Sequence, residues 1–328
     1  MASTCNVHIG RLSAIGLGKE TTPGTAVEPT TWIPVESAEV APIIKTVEDN
    51  SGYGVIDKIA DVQAVENTSE TSISGIVRAN SIGHLFLGVL GKTAKPTKVE
   101  DGVYKHDFTL ENSNCPLTYT ITEDTPVGAK QAPYSVIDSI DIEAKVGDYV
   151  RFTVKYMGGT VVRTTDKTPN YTNELPFMAS GFVVKMADNI AGLDAAPIVS
   201  AQSFKITINK NLETFMKLGS LNVDSIHNTV FEVKGDMEMV YNSDNYMQMA
   251  IDGSKKALRV TCESGAKIGA TKKAEFGIEL PRVALSEWKK SGDADKIITQ
   301  TLGFVGTFDT ATAKTLSMWL QNAIATQY

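Results

Sequence analysis

The sequence predicts a mainly β protein made of two tandem antiparallel β-sandwich or barrel domains, each with one short flanking α-helix. Three observations lead to this fold class. Most segments alternate apolar and polar residues with a period of two, and they end at Gly, Asn, Asp or Pro. Only two internal segments have a helical pattern. The order of strands around these helices occurs twice in the 328 residues, which predicts two domains.

The clearest strand pair lies in the segment SIDIEAKVGDYVRFTVKY, residues 139–156. Ile140 and Ile142 alternate with Asp141 and Glu143 ahead of a Val-Gly-Asp turn. After the turn, every second residue is again apolar, at Val150, Phe152, Val154 and Tyr156. This alternation on both sides of a short turn predicts a β-hairpin with one buried face.

In a second predicted strand, TVFEVKGDMEMVY, charged residues occupy every second position and alternate with mainly apolar ones. The charged positions are Glu232, Lys234, Asp236 and Glu238. Successive side chains of a strand point to opposite faces of the sheet, so these four share one face. We expect that face to contact water, either in bulk or inside a channel.

The two helical patterns are SIGHLFLGVL after Asn80 and SDNYMQMAI after Asn242. Each opens with an Asn-Ser pair that can cap a helix and ends at a glycine, Gly91 or Gly253. The two asparagines and the two glycines are each 162 residues apart. The equal spacing of both helix ends predicts an internal duplication.

The repeated order also extends upstream, where PVESAEV from Pro34 matches PIVSAQS from Pro197 at a step of 163 residues. A linker rich in Thr, Pro and Asn precedes Pro176. We therefore expect a first domain at residues 1–175 with an N-terminal arm, and a second at 176–328 with a C-terminal arm. Chance similarity between two β-rich halves is the alternative interpretation.

Composition excludes several classes of protein. The formal charge of −7 argues against a protein that grips nucleic acid, which requires clustered cations. The three scattered cysteines, Cys5, Cys115 and Cys262, form neither a disulfide framework nor a zinc motif, so we expect reduced thiols in a protein made in cytoplasm. The N-terminus has no secretory pattern, and the most apolar segment, SIGHLFLGVLG, is too short to span a membrane.

Chemical motifs are also missing from the sequence, and we expect no enzyme and no cofactor. AIGLGKET lacks the glycine that a phosphate-binding loop needs where Ser13 stands, and no GxSxG motif surrounds any serine. None of the four histidines has metal-ligand spacing, so each is expected to be a surface or packing residue: His8, His84, His106 and His227.

The order of several segments resembles that of siphophage major tail proteins, the tail-tube family. The chain opens with IGLGKETTPGTAVEPTTWIPVESAEVAPIIKTVEDNSGYG and continues with ENTSETSISGIVRANSIGHLFLGVLG. The resemblance continues through SIDIEAKVGDYVRFTVKYMG and SFKITINKNLE to the C-terminal TLSMWLQNAIATQY, and so covers nearly the whole chain. The specificity lies in the order of these segments.

The resemblance implies tail-tube-like domains that pack into rings, which stack into a hollow tube for DNA ejection. Six such domains normally close a ring, so three duplicated chains, or six chains, would form one. The implied partners are further copies of the chain, the tape-measure protein, the tail terminator and the distal tail proteins. Double-stranded DNA would pass through without specific binding. We expect a virion protein made in host cytoplasm, with no membrane partner.

Two groups of residues are candidates for these roles. A lumen lined with carboxylates repels phosphate, and the candidates for it are Glu70, taken as the counterpart of Glu232, and Glu232, Asp236 and Glu238. Contact with solvent alone is the competing interpretation of this face. The long loops after Val40 and after Phe204 are the candidate contacts between rings, and the residues proposed for the first are Glu48, Asp49, Asn50, Tyr53, Asp57 and Lys58. The segments through Trp32 and from Ala311 are candidate arms to neighbouring chains.

The alternative from another class is a binding module, either a tandem β-sandwich adhesin or a carbohydrate-binding tail-tip protein. Such a module predicts aromatic clusters on exposed loops, whereas Trp32, Trp288 and Trp319 are isolated in the sequence. A capsid or head-decoration protein shares the logic of assembly but matches the repeated strand and helix order less well.

Overall fold

The computed structural model describes residues 7–292 and 294–328. Within these residues the chain forms twenty strands and two α-helices, and all pairs between these strands are antiparallel, so the mainly β prediction is confirmed. The helices are α1 (Ile82–Leu90) and α2 (Asn245–Ile251). The strands are β1 (Ala14–Lys19), β2 (Thr31–Ile33), β3 (Ser37–Asp49), β4 (Asp61–Ile76), β5 (Gly91–Thr93), β6 (Thr97–Glu100), β7 (Val103–Leu110), β8 (Tyr119–Thr125), β9 (Gly128–Lys145), β10 (Arg151–Gly158), β11 (Val162–Thr164), β12 (Phe177–Ala187), β13 (Ala201–Asn209), β14 (Leu212–Met216), β15 (Val223–Asn228), β16 (Glu232–Val240), β17 (Lys255–Lys267), β18 (Lys273–Ser291), β19 (Thr299–Gly306) and β20 (Ser317–Asn322).

The predicted hairpin at residues 139–156 is formed by β9 and β10. Ile140 pairs with Val154 and Ile142 pairs with Phe152, and all four side chains are buried. Gly147 lies in the turn with a φ of 84°, a left-handed conformation that favours glycine. The predicted alternation therefore holds on both strands.

The two predicted helices are present and stop where expected. Gly91 ends α1 with a φ of 87°, and Gly253 follows α2 with a φ of 61°. The predicted caps from the Asn-Ser pairs are wrong, because neither helix has a side-chain hydrogen bond from its N-cap residue. At α1 a distant carboxylate, Glu174, accepts hydrogen bonds from the amides at this helix end.

Eight strands form one continuous sheet in the order β3–β4–β10–β9–β13–β16–β19–β18. The pairing of β9 with β13 joins the first half of the chain to the second. Among the described residues, β3 pairs only with β4, and the Glu287–Ser291 end of β18 pairs only with β19. The eight-strand sheet is therefore open along β3 at one edge and along the Glu287–Ser291 end of β18 at the other.

The strand registers recur pair by pair in the two halves of the eight-strand sheet. Residues of β9 and β10 match residues of β18 and β19 at an offset of 148, so that Ile140–Val154 corresponds to Trp288–Leu302. Each hairpin skips one residue at the same place, Asp138 in β9 and Ser286 in β18. The pairs of β3 with β4 match those of β13 with β16 at offsets of 166 and 164.

One hydrophobic core spans both sides of the expected boundary near Pro176. Phe276 of β18 is fully buried, and its ring contacts those of Phe86 and Phe177 at centroid distances of 6.2 and 4.9 Å. The C-terminal strand β20 pairs with β18 on one side and with β7 of the first half on the other. The two halves are therefore packed together within a common core.

Candidate assembly surfaces

One face of the eight-strand sheet is polar and carries all four carboxylates predicted to line a lumen. Side chains of β4 and β16 alternate between the core and this open face. Glu70 extends from β4, while Glu232, Asp236 and Glu238 extend from β16, and three strands lie between β4 and β16 in the sheet. The structure therefore brings residues far apart in sequence to one surface.

The open face carries cations among its carboxylates. Lys205 lies 3.1 Å from the carboxylate of Asp141, and Lys234 lies 2.7 Å from that of Glu232. Burial raises the pKa of Asp236, although the nearby Lys205 opposes that shift. The face is thus a mixed surface of ion pairs, with further carboxylates between them.

The outer part of the β3–β4 hairpin, residues 46–64, projects from the sheet and is named here the outer hairpin. All six residues predicted to contact the next ring lie on it and are exposed: Glu48, Asp49, Asn50, Tyr53, Asp57 and Lys58. The carboxylate of Asp49 accepts a hydrogen bond from the hydroxyl of Ser51 and another, of 2.9 Å, from the amide of Ser51, and both lower the pKa of Asp49. Local hydrogen bonds therefore shape the loop.

The outer hairpin also exposes large apolar side chains, which is unusual for a surface hairpin. Ile56 is fully exposed and Val62 is 51% exposed. The others are Val47, Tyr53, Val55 and Ile59. Contiguous exposed apolar residues of this kind mark protein–protein contact sites.

A second hairpin, β14–β15, lies against the first half of the chain. Ile226 and Leu212 pack on Val136 of β9 in a small separate hydrophobic cluster. The amide of Asn67 in β4 donates a 2.7 Å hydrogen bond to the carbonyl of Leu221 in the loop of this hairpin. In contrast to the outer hairpin, this hairpin is anchored on a neighbouring part of the same chain.

The seam between β9 and β13 combines main-chain pairing with charge. Seven residues of each strand are in register, from Ser203 opposite Lys145 to Asn209 opposite Ser139. On the open face, the carboxylate of Asp141 accepts a 2.6 Å hydrogen bond from the hydroxyl of Thr207 and forms the ion pair with Lys205. The seam thus joins the two halves by both backbone and side-chain contacts.

The strands within the segments considered as arms pair with strands of their own chain. β1 and β2 pair with each other, β1 also pairs with β8, and Trp32 is buried. At the C-terminal end β20 joins the sheet, and the ring of Tyr328 packs between His84 and His106 at centroid distances of 4.9 and 4.8 Å. Residues 1–6, which include Cys5, lie outside the described residues.

The side chains that could bind a metal ion or react as thiols are scattered in the described part of the chain. It contains no group of three or more His, Cys, Asp or Glu residues that could hold a metal ion. Cys115 is exposed, whereas Cys262 is buried, and burial raises the pKa of its thiol to about 12. None of the helices in residues 7–292 and 294–328 has the length and apolar character needed to cross a membrane.

The tryptophans do not form a cluster in the structure. Trp32 packs edge-on against Tyr171 with 6.5 Å between ring centroids. The indole of Trp288 donates a 2.9 Å hydrogen bond to Gln300, and that of Trp319 lies over Gly277 of the neighbouring strand. The ring contacts therefore offer no support for a carbohydrate-binding platform.

Sequence reasoning missed both the seam and the apolar character of the outer hairpin. The seam pairs residues more than 50 positions apart, and no local pattern specifies that partner. The apolar residues were visible in VIDKIADVQAV, but alternation in that segment is interrupted by Asp and Lys. A search for apolar residues within the predicted loop would have found them.

These surfaces define a structural β-protein with an open β3 edge, an open Glu287–Ser291 end of β18 and an apolar hairpin available for association. The model of the phage tail tube protein family matches residues 10–306, and the chain therefore belongs to this family. It is a structural component of the virion tail, in a family whose members associate with one another and with other tail proteins. Comparison with curated proteins found no match.

Proposed function

We propose that this tail tube protein self-assembles into stacked rings that form the hollow tail tube and the conduit for DNA ejection. The observation that carries the proposal is the eight-strand sheet, which is open along β3 and along the Glu287–Ser291 end of β18. Unpaired N–H and C=O groups on an edge strand are a template for pairing with another chain. A contact between two different edges repeats from copy to copy, and it gives a ring when the rotation closes.

We also infer that the chain holds two copies of one tube unit, divided near Pro176. The repeated strand order, the equal offsets and the shared bulge positions support a duplication. With two units per chain, three chains supply six units, and we propose a trimeric ring over a ring of six chains. In this alignment the counterpart of Glu70 is Lys234, which replaces the earlier match to Glu232.

The open face of the sheet is our candidate for the lumen surface. Its carboxylates, including Glu70, Asp236 and Glu238, would repel the phosphates of passing double-stranded DNA. The lysines on the same face are partly neutralised by ion pairs such as Lys205 with Asp141. Such a surface allows DNA to pass without specific binding, after the tape-measure protein has left the tube.

The loop of the outer hairpin is our candidate for contacts between rings. This loop is exposed, and it combines charged residues with Tyr53, whose side chain is 71% exposed. Protein–protein interfaces are enriched in aromatic residues and have a polar rim, so this composition suits a contact between rings. At its two ends a finished tube would meet the tail terminator and the distal tail proteins. The chain would be made in host cytoplasm and incorporated into the virion there.

Negative-stain electron microscopy of the concentrated full chain tests this function. We expect hollow tubes whose axial class averages show three-fold rings with six lobes. Six-fold rings with twelve lobes would support the tube and contradict the trimer. A chain that stays a monodisperse monomer at high concentration would contradict the proposed function and favour the adhesin or tail-tip module.

A further inference from the structure

We propose that the β3 edge of one copy pairs with the Glu287–Ser291 end of β18 in a second copy, in the register of the β9–β13 seam. The outer hairpin of the first copy then packs on Ala284 and Val305 of the second copy. The inference deepens the proposed function, on which it rests, by assigning the residues that join one chain to the next. Its basis is that the two halves of one chain already make this contact.

The outer hairpin and the β14–β15 hairpin are equivalent in register. Thr46 pairs with Ala64, and Leu212 pairs with Asn228, at the same offsets of 166 and 164 that relate the inner strands. The β3–β4 ladder has its only shift between Lys45 and Thr46, which correspond to Asn211 and Leu212, where β14 begins. This shift gives the outer hairpin a place to bend, as its counterpart does.

The contact surface of β14–β15 identifies the surface that the outer hairpin lacks. Ile226 is 1% exposed because it packs on Val136, and its counterpart on the outer hairpin is Val62, which is 51% exposed. The counterpart of Val136 in the second half is Ala284, which is only partly buried. A second copy would therefore bring Val62 onto Ala284 as Ile226 lies on Val136.

Two further positions of the same cluster also have apolar counterparts. Val223 of β15 and Met157 of β10 both pack against the cluster. Their counterparts at the same offsets are Ile59, which is 46% exposed, and Val305, which is partly buried. The predicted contact between copies is thus apolar at both of its central positions, as a buried contact requires.

Charge supports the same register at the strand edges. Within the chain, Lys205 of β13 forms an ion pair with Asp141 of β9. The counterpart of Lys205 on the open β3 edge is Glu39, and the counterpart of Asp141 on β18 is Lys289. Both charges are reversed, so the pair remains attractive between copies. In the free chain Lys289 instead contacts Glu287 at 2.6 Å, and Glu39 is exposed.

A charge-reversal series tests the strand contact. Glu39→Lys and Lys289→Glu each place like charges at the contact, and we expect each to raise the critical concentration for assembly at least about threefold. The double variant reproduces the polarity of Lys205 and Asp141, and we expect assembly within about twofold of the wild type. Lys155→Glu is the matched control, because Lys155 lies on the open face of the interior strand β10.

A disulfide tests the hairpin contact in the same assembled material. In a chain with Cys5→Ser and Cys115→Ser, we expect Val62→Cys with Ala284→Cys to form disulfides between copies only after assembly. The product should be a closed trimer on a non-reducing gel. Gln63→Cys with Ala284→Cys is the control, because successive residues of a strand face opposite sides.

The outcomes separate this inference from the proposed function. Suppose that the wild type forms tubes. Normal assembly of the charge-reversed single variants, or the absence of a disulfide between cysteines at positions 62 and 284, would then overturn the inference and leave the tube function intact. A wild-type chain that forms neither rings nor tubes would overturn both. Circular dichroism and thermal unfolding of each variant as a monomer would show that the substitutions, which lie at exposed or partly buried positions, leave the fold unchanged.

Discussion

The carboxylate of Glu174 accepts a 2.8 Å hydrogen bond from the backbone amide of Ser81 at the start of α1. It accepts a second bond of the same length from the amide of Asn80. The negative charge also lies at the end of the helix where the amide dipoles favour it. The linker between the two halves therefore caps the helix of the first half.

Replacing Glu174 by alanine should lower the free energy of unfolding by about 1–2 kcal/mol, because two amides lose their acceptor. Glutamine retains one carbonyl acceptor and should cost less. Urea unfolding followed by circular dichroism measures both variants. An alanine variant as stable as the wild type would show that water replaces the carboxylate without loss.

The stability of the chain should fall as the pH drops from 6.5 towards 4. Burial lowers the pKa of His84 to about 4, with a smaller contribution from Lys19. The folded state therefore favours the neutral ring, and protonation below the unfolded pKa of 6.5 favours unfolding. The loss attributable to His84 should approach roughly 3 kcal/mol near pH 4.

Substitution of His84 separates its contribution to the pH dependence of stability from the contributions of other groups. His84→Gln retains a polar group near Thr31, whose hydroxyl lies 3.1 Å from the His84 ring, and should flatten the profile between pH 6.5 and 4. The exposed His8 provides a matched control, His8→Gln, which should keep the wild-type profile. If wild type and His84→Gln lose the same stability between pH 6.5 and 4, the loss does not come from protonation of His84.

Tyr328 should stabilise the fold through both its ring and its hydroxyl. The hydroxyl donates a 2.9 Å hydrogen bond to the carbonyl of Asn80 and accepts one of 2.6 Å from the side-chain amide of Asn322. Tyr328→Phe should cost about 1 kcal/mol, and Tyr328→Ala about 3–4 kcal/mol, since alanine also leaves a cavity. Thermal unfolding compares the two.

Gly83 provides an independent test of the Tyr328 position, because a Cβ at Gly83 would overlap the Tyr328 ring. We expect Gly83→Ala to destabilise the wild type by about 1–3 kcal/mol and to be much less harmful in a Tyr328→Ala background. A double-mutant cycle measures this coupling. Additive effects would place the ring elsewhere in solution.

The two halves should unfold together, because Phe276 links them within one core. Phe276→Ala should cost about 3–5 kcal/mol and lower one cooperative transition. Calorimetry of the full chain is the measurement, and Phe308→Ala, at a 56% exposed position, is the matched control. Two separate transitions, of which only one responds, would show that the halves unfold independently.

Local patterns predicted the secondary structure well where a single face decides it. The hairpin around Gly147 and the alternation of β16 follow from which side chains avoid water, and the glycines after the two helices follow from backbone sterics. The caps failed because the acceptor at α1 is Glu174, more than 90 residues away. The sequence near α1 does not indicate that Glu174 is the acceptor.

The sequence predicts a repeat, and the strand registers align the two halves differently. Matching Pro34 to Pro197 gives a step of 163, whereas the strand registers give 166 for β3. Small insertions in loops change the step between matched residues in a sequence alignment. The strand register matches residues by their hydrogen-bonded pairs, so loop insertions do not affect it. The residue counterparts of Glu39 and Val62 therefore depended on the structure.

The sequence by itself determined a mainly antiparallel β chain, its two helices, its charged strand face and its resemblance to tail tube proteins. These properties follow from the period of apolar residues, from turn chemistry and from the order of segments. Only the tertiary structure decided that β9 pairs with β13, that β3 and the Glu287–Ser291 end of β18 are open, and that one hairpin lies uncovered. Strand pairing between distant segments depends on which edges meet in the folded chain, and edge hydrogen bonds, made by the backbone, leave little trace in residue identity.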